Sequence, residues 1–134
     1  MKKALFIFGV LLLGSCPSWG LTQNLQCQLV RQKSVDVFLD QELNLTHNPR
    51  FIYKEEPRRW ALQIGQMVLD PAQASGATLN KRSRKLATNV REYSIWVNKI
   101  LRFQFEVDFE QGTVVLYWWG TGRRAFLADF SCTR

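Results

Sequence analysis

From Leu101 to Phe109 the chain alternates without a break. Leu101, Phe103, Phe105, Val107 and Phe109 are apolar; Arg102, Gln104, Glu106 and Asp108 are polar or charged. A period of two collects the apolar side chains on one face of a strand, whereas a helix scatters them round its circumference. Glu110-Gln111-Gly112-Thr113 then has the composition of a tight turn, with Gly112 free to take positive φ. Val114-Val115-Leu116-Tyr117-Trp118-Trp119 is β-branched and aromatic, as strands prefer. The two runs predict a β-hairpin. With Gln111-Gly112 as a two-residue loop, Phe109 faces Val114, Val107 faces Leu116 and Phe105 faces Trp118 on the core side. On the reverse side Glu106 meets Tyr117 and Gln104 meets Trp119. A one-residue slip would turn the charges into the core, so the pattern holds each residue to its face.

Similar signals recur along the chain. Gly120-Thr121-Gly122 predicts another turn, followed by a strand over 123–132 with Phe126, Ala128, Phe130 and Cys132 on one face. A three-residue turn sets Phe126 opposite Leu116. Leu25-Gln26-Cys27-Gln28-Leu29 alternates too, and Val35, Val37, Leu39, Leu43 and Leu45 make a further alternating run interrupted by Gln41. Arg50–Lys54 and Trp60–Ile64 are candidate strands on either side of the breaker Pro57, and 70–76 reads as a loop. Ser83 to Ile100 supports two readings. Leu86, Val90, Tyr93 and Val97 follow helical spacing, yet Tyr93, Ile95 and Val97 also alternate. A strand from Tyr93 with a tight turn at Asn98-Lys99 is preferred, and a helix over 83–100 is the alternative. The count is seven or eight short strands. It predicts an all-β fold, a small antiparallel β-sandwich or closed β-barrel with room for one short helix. An outer-membrane barrel fits less well, because the strands are short and the final Ser-Cys-Thr-Arg lacks an aromatic ending.

The first twenty residues have a different pattern. Lys2 and Lys3 precede a continuous apolar run from Ala4 to Leu13, the n- and h-regions of a secretory signal. The run is about half the length a membrane-spanning helix needs. Ser18-Trp19-Gly20 offers a cleavage site after residue 20, leaving 21–134 as one β domain. Leu13-Gly14-Ser15-Cys16 looks like a lipobox, so a lipoprotein signal over 1–15 with Cys16 acylated is the alternative. Pro17 directly after the cysteine favours the soluble, periplasmic or secreted outcome. No second apolar stretch of spanning length follows.

Either cleavage leaves two cysteines, Cys27 and Cys132, and an even pair in a small exported domain reads as one disulfide. Both fall on apolar faces, near the two ends of the mature chain. Closing a loop of about 105 residues is worth up to ~4.7 kcal/mol by loop entropy.

Composition narrows the chemistry. A chain of 134 residues with 18 Lys+Arg, 11 Asp+Glu and 46% hydrophobic residues has the makings of one core and is not disordered. With His47 as the one histidine, set in the turn signature Thr46-His47-Asn48-Pro49, base-driven nucleophilic schemes have a single centre. No G-x-S-x-G, P-loop, HExxH or Rossmann glycine pattern occurs, so no cofactor is implied, and no clustered Cys/His set suggests a metal. Glu106, Asp108 and Glu110 project from one strand face about 7 Å apart, a separation inverting glycosidases also use. Any polar strand face produces that spacing. Val115, Tyr117 and Trp119 share the face, which makes Tyr117 and Trp119 with Glu106 and Asp108 a candidate glycan-binding surface.

Loss of Lys2 and Lys3 with the signal lowers the formal charge from +7 to +5. The remaining cations concentrate at Lys81, Arg82, Arg84 and Lys85 and at Arg123 and Arg124, a candidate basic patch. Outside the cytoplasm the available polyanions are lipid headgroups, lipopolysaccharide and acidic wall polymers rather than nucleic acid.

An export signal, a small β domain and a cysteine near each end together resemble the membrane-bound inhibitors of C-type lysozyme. Ala74-Ser75-Gly76 is similar to the Ser-Ala-Ser-Gly-like loop of that family, but the Tyr and the Lys-Gly pair do not follow at its spacing. The residues therefore point first to an exported, non-enzymatic binding module for an anionic or glycan surface or another envelope protein. An inhibitor of a secreted enzyme such as a lysozyme, presenting 71–85 as a protruding loop, is the alternative. A small carboxylate-dependent hydrolase comes third.

Overall fold

The computed structural model describes residues 23–33, 37–73, 78–97, 99, 101–120 and 122–133. The expected signal, Cys16 and Ala74-Ser75-Gly76 lie outside the described residues. The chain passes through β1 (Gln23–Gln32), a helix α1 (Val37–Leu43), β2 (Arg50–Glu56), β3 (Arg59–Ile64) and β4 (Met67–Leu69). It continues through β5 (Leu79–Ala87), β6 (Val90–Val97), β7 (Leu101–Asp108), β8 (Thr113–Gly120) and β9 (Arg123–Thr133). All pairings are antiparallel, in one sheet of order β4-β3-β2-β1-β9-β8-β7-β6-β5. Two meanders therefore meet where the first strand pairs with the last. Cys27 and Cys132 are direct partners in that seam and are disulfide-bonded.

The sheet curls into a half-barrel. Strands four places apart in a flat sheet would lie about 19 Å from one another, yet the rings of Phe51 in β2 and Phe105 in β7 are 5.0 Å apart. Tyr53 in β2 approaches Tyr93 in β6 to 4.9 Å. The concave face is the core: Phe51, Tyr53, Leu62, Ile64, Tyr93, Ile95, Phe103, Phe105, Leu116 and Phe130 are all buried. These are the residues that period-two alternation turns inward. Leu39, Leu43 and Leu45 insert into the same cluster from α1 and the turn after it.

The all-β, antiparallel expectation with one short helix holds, but the described residues form nine strands. The run from Val35 to Leu45, read as alternating, is helical over 37–43. Its interruption at Gln41 was the helical feature: Leu39 and Leu43 lie one turn apart and are buried, while Asp40, Gln41 and Glu42 face solvent. Asn44, at φ 49, ends the helix in left-handed geometry. In place of that strand stand β4 and β5, the latter built from residues read as a candidate basic patch and, in the alternative reading, as part of a protruding loop. A strand covers 90–97 and extends the segment from Tyr93 backwards, so the helical alternative over 83–100 does not form.

Two registers also differ. In the β7–β8 hairpin Val107 pairs with Val114 and Phe105 with Leu116, two residues from the expected alignment. The loop is four residues long because Asp108 organises it. Its carboxylate accepts the N–H groups of Glu110 and Gln111, both at 3.0 Å, and its carbonyl accepts that of Gly112, which sits at φ 67. A slip of two keeps every side chain on its face, so the core assignment survives. In β8–β9 a bulge intervenes, so that Leu116 pairs with Ala128 while Tyr117 pairs with Phe126. Leu127 and Ala128 both become buried and Phe126 moves to the outer face beside Tyr117.

Candidate functional site

The outer face of β5–β9 carries its side chains in rows that run across the strands. Asn80, Trp96, Arg102, Trp119 and Arg124 are successive register partners. Beside them run Arg82, Ser94, Gln104, Tyr117 and Phe126. A third row joins Arg84, Glu92, Glu106, Val115 and Asp129, and reaches Arg31 in β1. Even-numbered positions of β7 produce this face because the odd ones fill the core.

Arginines and aromatic rings interleave along these rows. The Arg102 guanidinium lies between Trp96 and Trp119, at 4.9 and 4.5 Å from their ring centres. Arg82 stands 5.7 Å from Trp96, Arg124 lies 4.0 Å over Tyr117, and Arg31 lies 5.0 Å over Phe126. A guanidinium that stacks through its face still radiates its N–H donors in its own plane, so stacking fixes the orientation of an anion-binding fork without consuming it. Arg102 donates to Ser94 Oγ at 3.4 Å, and its Nε is buried with no partner among the described residues.

Polar groups beneath the rings hold them in place. Trp119 Nε1 donates to Gln104 Oε1 at 3.2 Å, and Arg124 donates to the same oxygen at 3.4 Å and to Glu106 at 3.2 Å. Ser94 and Gln104 are buried although they point away from the core, because the long neighbours overhang them. Arg84 pairs with Glu92 at 3.3 Å. The result is an open groove of about 740 Å³ lined by Arg82, Arg84, Arg102 and Arg124, with Glu92 as its one carboxylate among the described residues. Among the described residues Arg82 and Arg102 have no carboxylate partner. Burial, and after it the Glu106 carboxylate, raises the Tyr117 hydroxyl above its ordinary value, so Tyr117 stays neutral.

The sheet thus gathers Tyr117, Trp119 and Glu106 with Arg82, Arg84 and Arg124, residues from two separately read candidate patches. It sets the others apart. Asp108 serves its own turn, and Arg123 is exposed at the β8–β9 turn, where it pairs with Gly120. Lys85 is exposed on β5 opposite Arg91. Lys81 points into the concave face, where its ammonium pairs with Glu55, donates to the Tyr53 hydroxyl at 3.0 Å and lies within 5.6–5.9 Å of the rings of Tyr53, Trp60 and Tyr93. Burial first, and Glu55 second, pushes the Tyr93 hydroxyl up to about 12 and raises that of Tyr53 further. Trp96, Arg102, Ser94 and Gln104 are site residues that the local pattern of the chain had not singled out. The signal was there: once Tyr93, Ile95 and Val97 face inward, Trp96 must face outward in line with Arg102.

The carboxylates read as a spaced acid set do not converge. Glu106 is held by Arg124, Asp108 by its turn, and Glu110 accepts from Asn89 at 3.3 Å. His47 Nδ1 sits 3.0 Å from Asn44 Oδ1 at the end of α1. Residues 79–85, expected as part of a protruding loop, are strand. No helix among the described residues is long and apolar enough to cross a membrane. No family model, curated protein or solved structure matches the chain.

Proposed function

We propose that this protein is an exported, non-enzymatic binding module that recognises an anionic polymer of the cell envelope through the outer face of β5–β9. The reading takes residues 1–20 as the export signal and 21–134 as one domain. Its support is the ladder in which Trp96 and Trp119 clamp Arg102 beside three further arginines. Four guanidiniums over one shallow groove, two of them without a carboxylate partner among the described residues, are costly to hold together unless an anion completes them. The cross-strand disulfide fits an oxidising compartment. A shallow groove with donors spread along it suits a repeating carboxylate, phosphate or sulfate better than a small compact ligand.

The test titrates the mature chain with an acidic uronate polysaccharide, with polyphosphate, with anionic lipid vesicles and with neutral dextran, following tryptophan fluorescence at two salt concentrations. The expected result is binding to at least one anionic probe that weakens steeply with salt, no binding to dextran, and about a tenfold loss with Arg102→Gln, equivalent to about 1.4 kcal/mol. Absence of binding to every anionic probe at low salt, or an Arg102→Gln variant that is folded and binds as tightly as the parent, overturns it.

A further inference from the structure

The groove leaves unexplained the strand at its border. Among the described residues β5 is an edge of the sheet, paired with β6 alone. From Arg82 to Ala87 every residue is exposed, so this stretch is covered on neither face, and its outer side makes no backbone hydrogen bond among the described residues. An edge so bare is a template for another strand. Its charges decide which strand. Arg82 and Arg84 project to the outer face, and Lys85 projects to the other. There Lys85 stands directly across from Arg91, a like-charge cross-strand pair that costs stability as it stands.

A second copy of β5 is refused by this pattern. Antiparallel pairing centred on Ser83 would set Arg82 against Arg84 and Lys81 against Lys85, and repulsion of that kind is the usual guard against self-association. An acidic strand meets the opposite situation. Residues facing each other across an antiparallel pair share a face, so carboxylates opposite Arg82, Arg84 and Lys85 would be paired, and the one opposite Lys85 would also relieve Arg91.

We propose that the free edge of β5 is a docking site for an acidic, extended polypeptide segment of a partner protein, which adds to the sheet as a tenth strand. The backbone supplies the hydrogen bonds and the cations on both faces select the sequence. This site is separate from the groove, although Arg82 and Arg84 border both.

The experiment uses the capped peptide Thr-Glu-Glu-Val-Glu-Thr, which in antiparallel register sets glutamates opposite Lys85, Arg84 and Arg82. It is titrated at low salt into isotope-labelled mature protein, with two control peptides: one with Gln for each Glu, one N-methylated at alternate residues. Backbone amide signals of 79–87 should shift with the parent peptide. The Gln and N-methyl peptides should each bind at least tenfold more weakly. The double variant Arg82→Ala/Lys85→Ala should weaken the parent peptide at least fivefold, and Arg102→Gln should leave it unchanged. An N-methylated peptide that binds as well as the parent reduces the effect to charge alone and overturns the proposal. So do shifts confined to Trp96, Arg102 and Trp119, self-association of the protein through β5, or no shift at millimolar peptide. Because Arg102→Gln disables only the groove, failure here and failure of polyanion binding are read separately.

Discussion

Breaking the seam between the two meanders is the sharpest test of the architecture. Cys27 and Cys132 are 105 residues apart in sequence and adjacent across β1 and β9. Their bond closes nearly the whole described chain into one loop, and the entropy removed from the unfolded ensemble by such a closure is worth about 4.7 kcal/mol at 25 °C. Replacing both by alanine, rather than one by serine, avoids placing a hydroxyl at Cys27, which is 5% exposed. A domain of this size loses about 4 °C in Tm per kcal/mol, so Cys27→Ala/Cys132→Ala should melt about 20 °C below the oxidised parent. The native far-ultraviolet circular dichroism should not change, because six register pairs between β1 and β9 remain. The assay is a pair of thermal melts, parent against double variant, with a reduced parent as a third arm that keeps both sulfurs. Reduced parent and double variant should melt within a few degrees of each other. A variant that melts within 5 °C of the oxidised parent would contradict this prediction, and would mean that the unfolded chain already keeps its ends together without the bond.

Three further expectations concern the packing. Lys81→Met leaves the Glu55 carboxylate facing two buried tyrosines and should cost about 2 kcal/mol in urea unfolding, while Lys81→Met/Glu55→Leu should recover most of it; an additive double variant would show that the pair is not coupled. Gly65→Ala puts a Cβ 2.0 Å from the Leu43 carbonyl oxygen at φ 58, and should cost about 3 kcal/mol by forcing α1 off the β3–β4 hairpin; a loss under 1 kcal/mol would contradict that close approach. Asp70 accepts the Ala72 N–H and the Arg59 guanidinium, which hold its carboxyl below the ordinary carboxylate value in the folded protein. Its contribution is therefore complete above that ordinary value and is lost as pH falls through the lowered one, so the stability gap between parent and Asp70→Asn should narrow on acidification below about pH 4. A gap that stays constant from pH 7 to pH 2 would remove Asp70 from the ledger of acid-sensitive groups.

Alternation along Leu101–Phe109 was enough to assign each side chain of β7 to the core or to the outside, and it did so although the hairpin register was off by two. The reason is parity: a slip of two residues leaves every face intact, and only an odd slip is forbidden by burial. Alternation likewise set Cys27 and Cys132 on apolar faces of strands far apart in the chain. It failed where a local signal was ambiguous at short range. Val35 to Leu45 has too few residues to separate period two from period 3.6, and the decision fell to the hairpin that receives Leu39 and Leu43. Phe126 changed face because a single bulged residue, invisible in composition, reversed the parity of half of β9.

What the chain alone determined, then, is chemistry by face: which positions of β7 and β8 turn inward, which residues wait outside, and which two sulfurs are there to be joined. Tertiary structure decided adjacency. Trp96, Arg102 and Trp119 belong to three different strands and become stacked neighbours because consecutive antiparallel hairpins set them in one row. Lys81 and Arg82 are adjacent in sequence and end on opposite sides of the sheet, one caged among aromatic rings and one at the groove. Side-chain direction follows from local geometry and can be read along a strand. The company a side chain keeps depends on loop lengths and bulges, which only the hydrogen-bond network of the folded sheet sets.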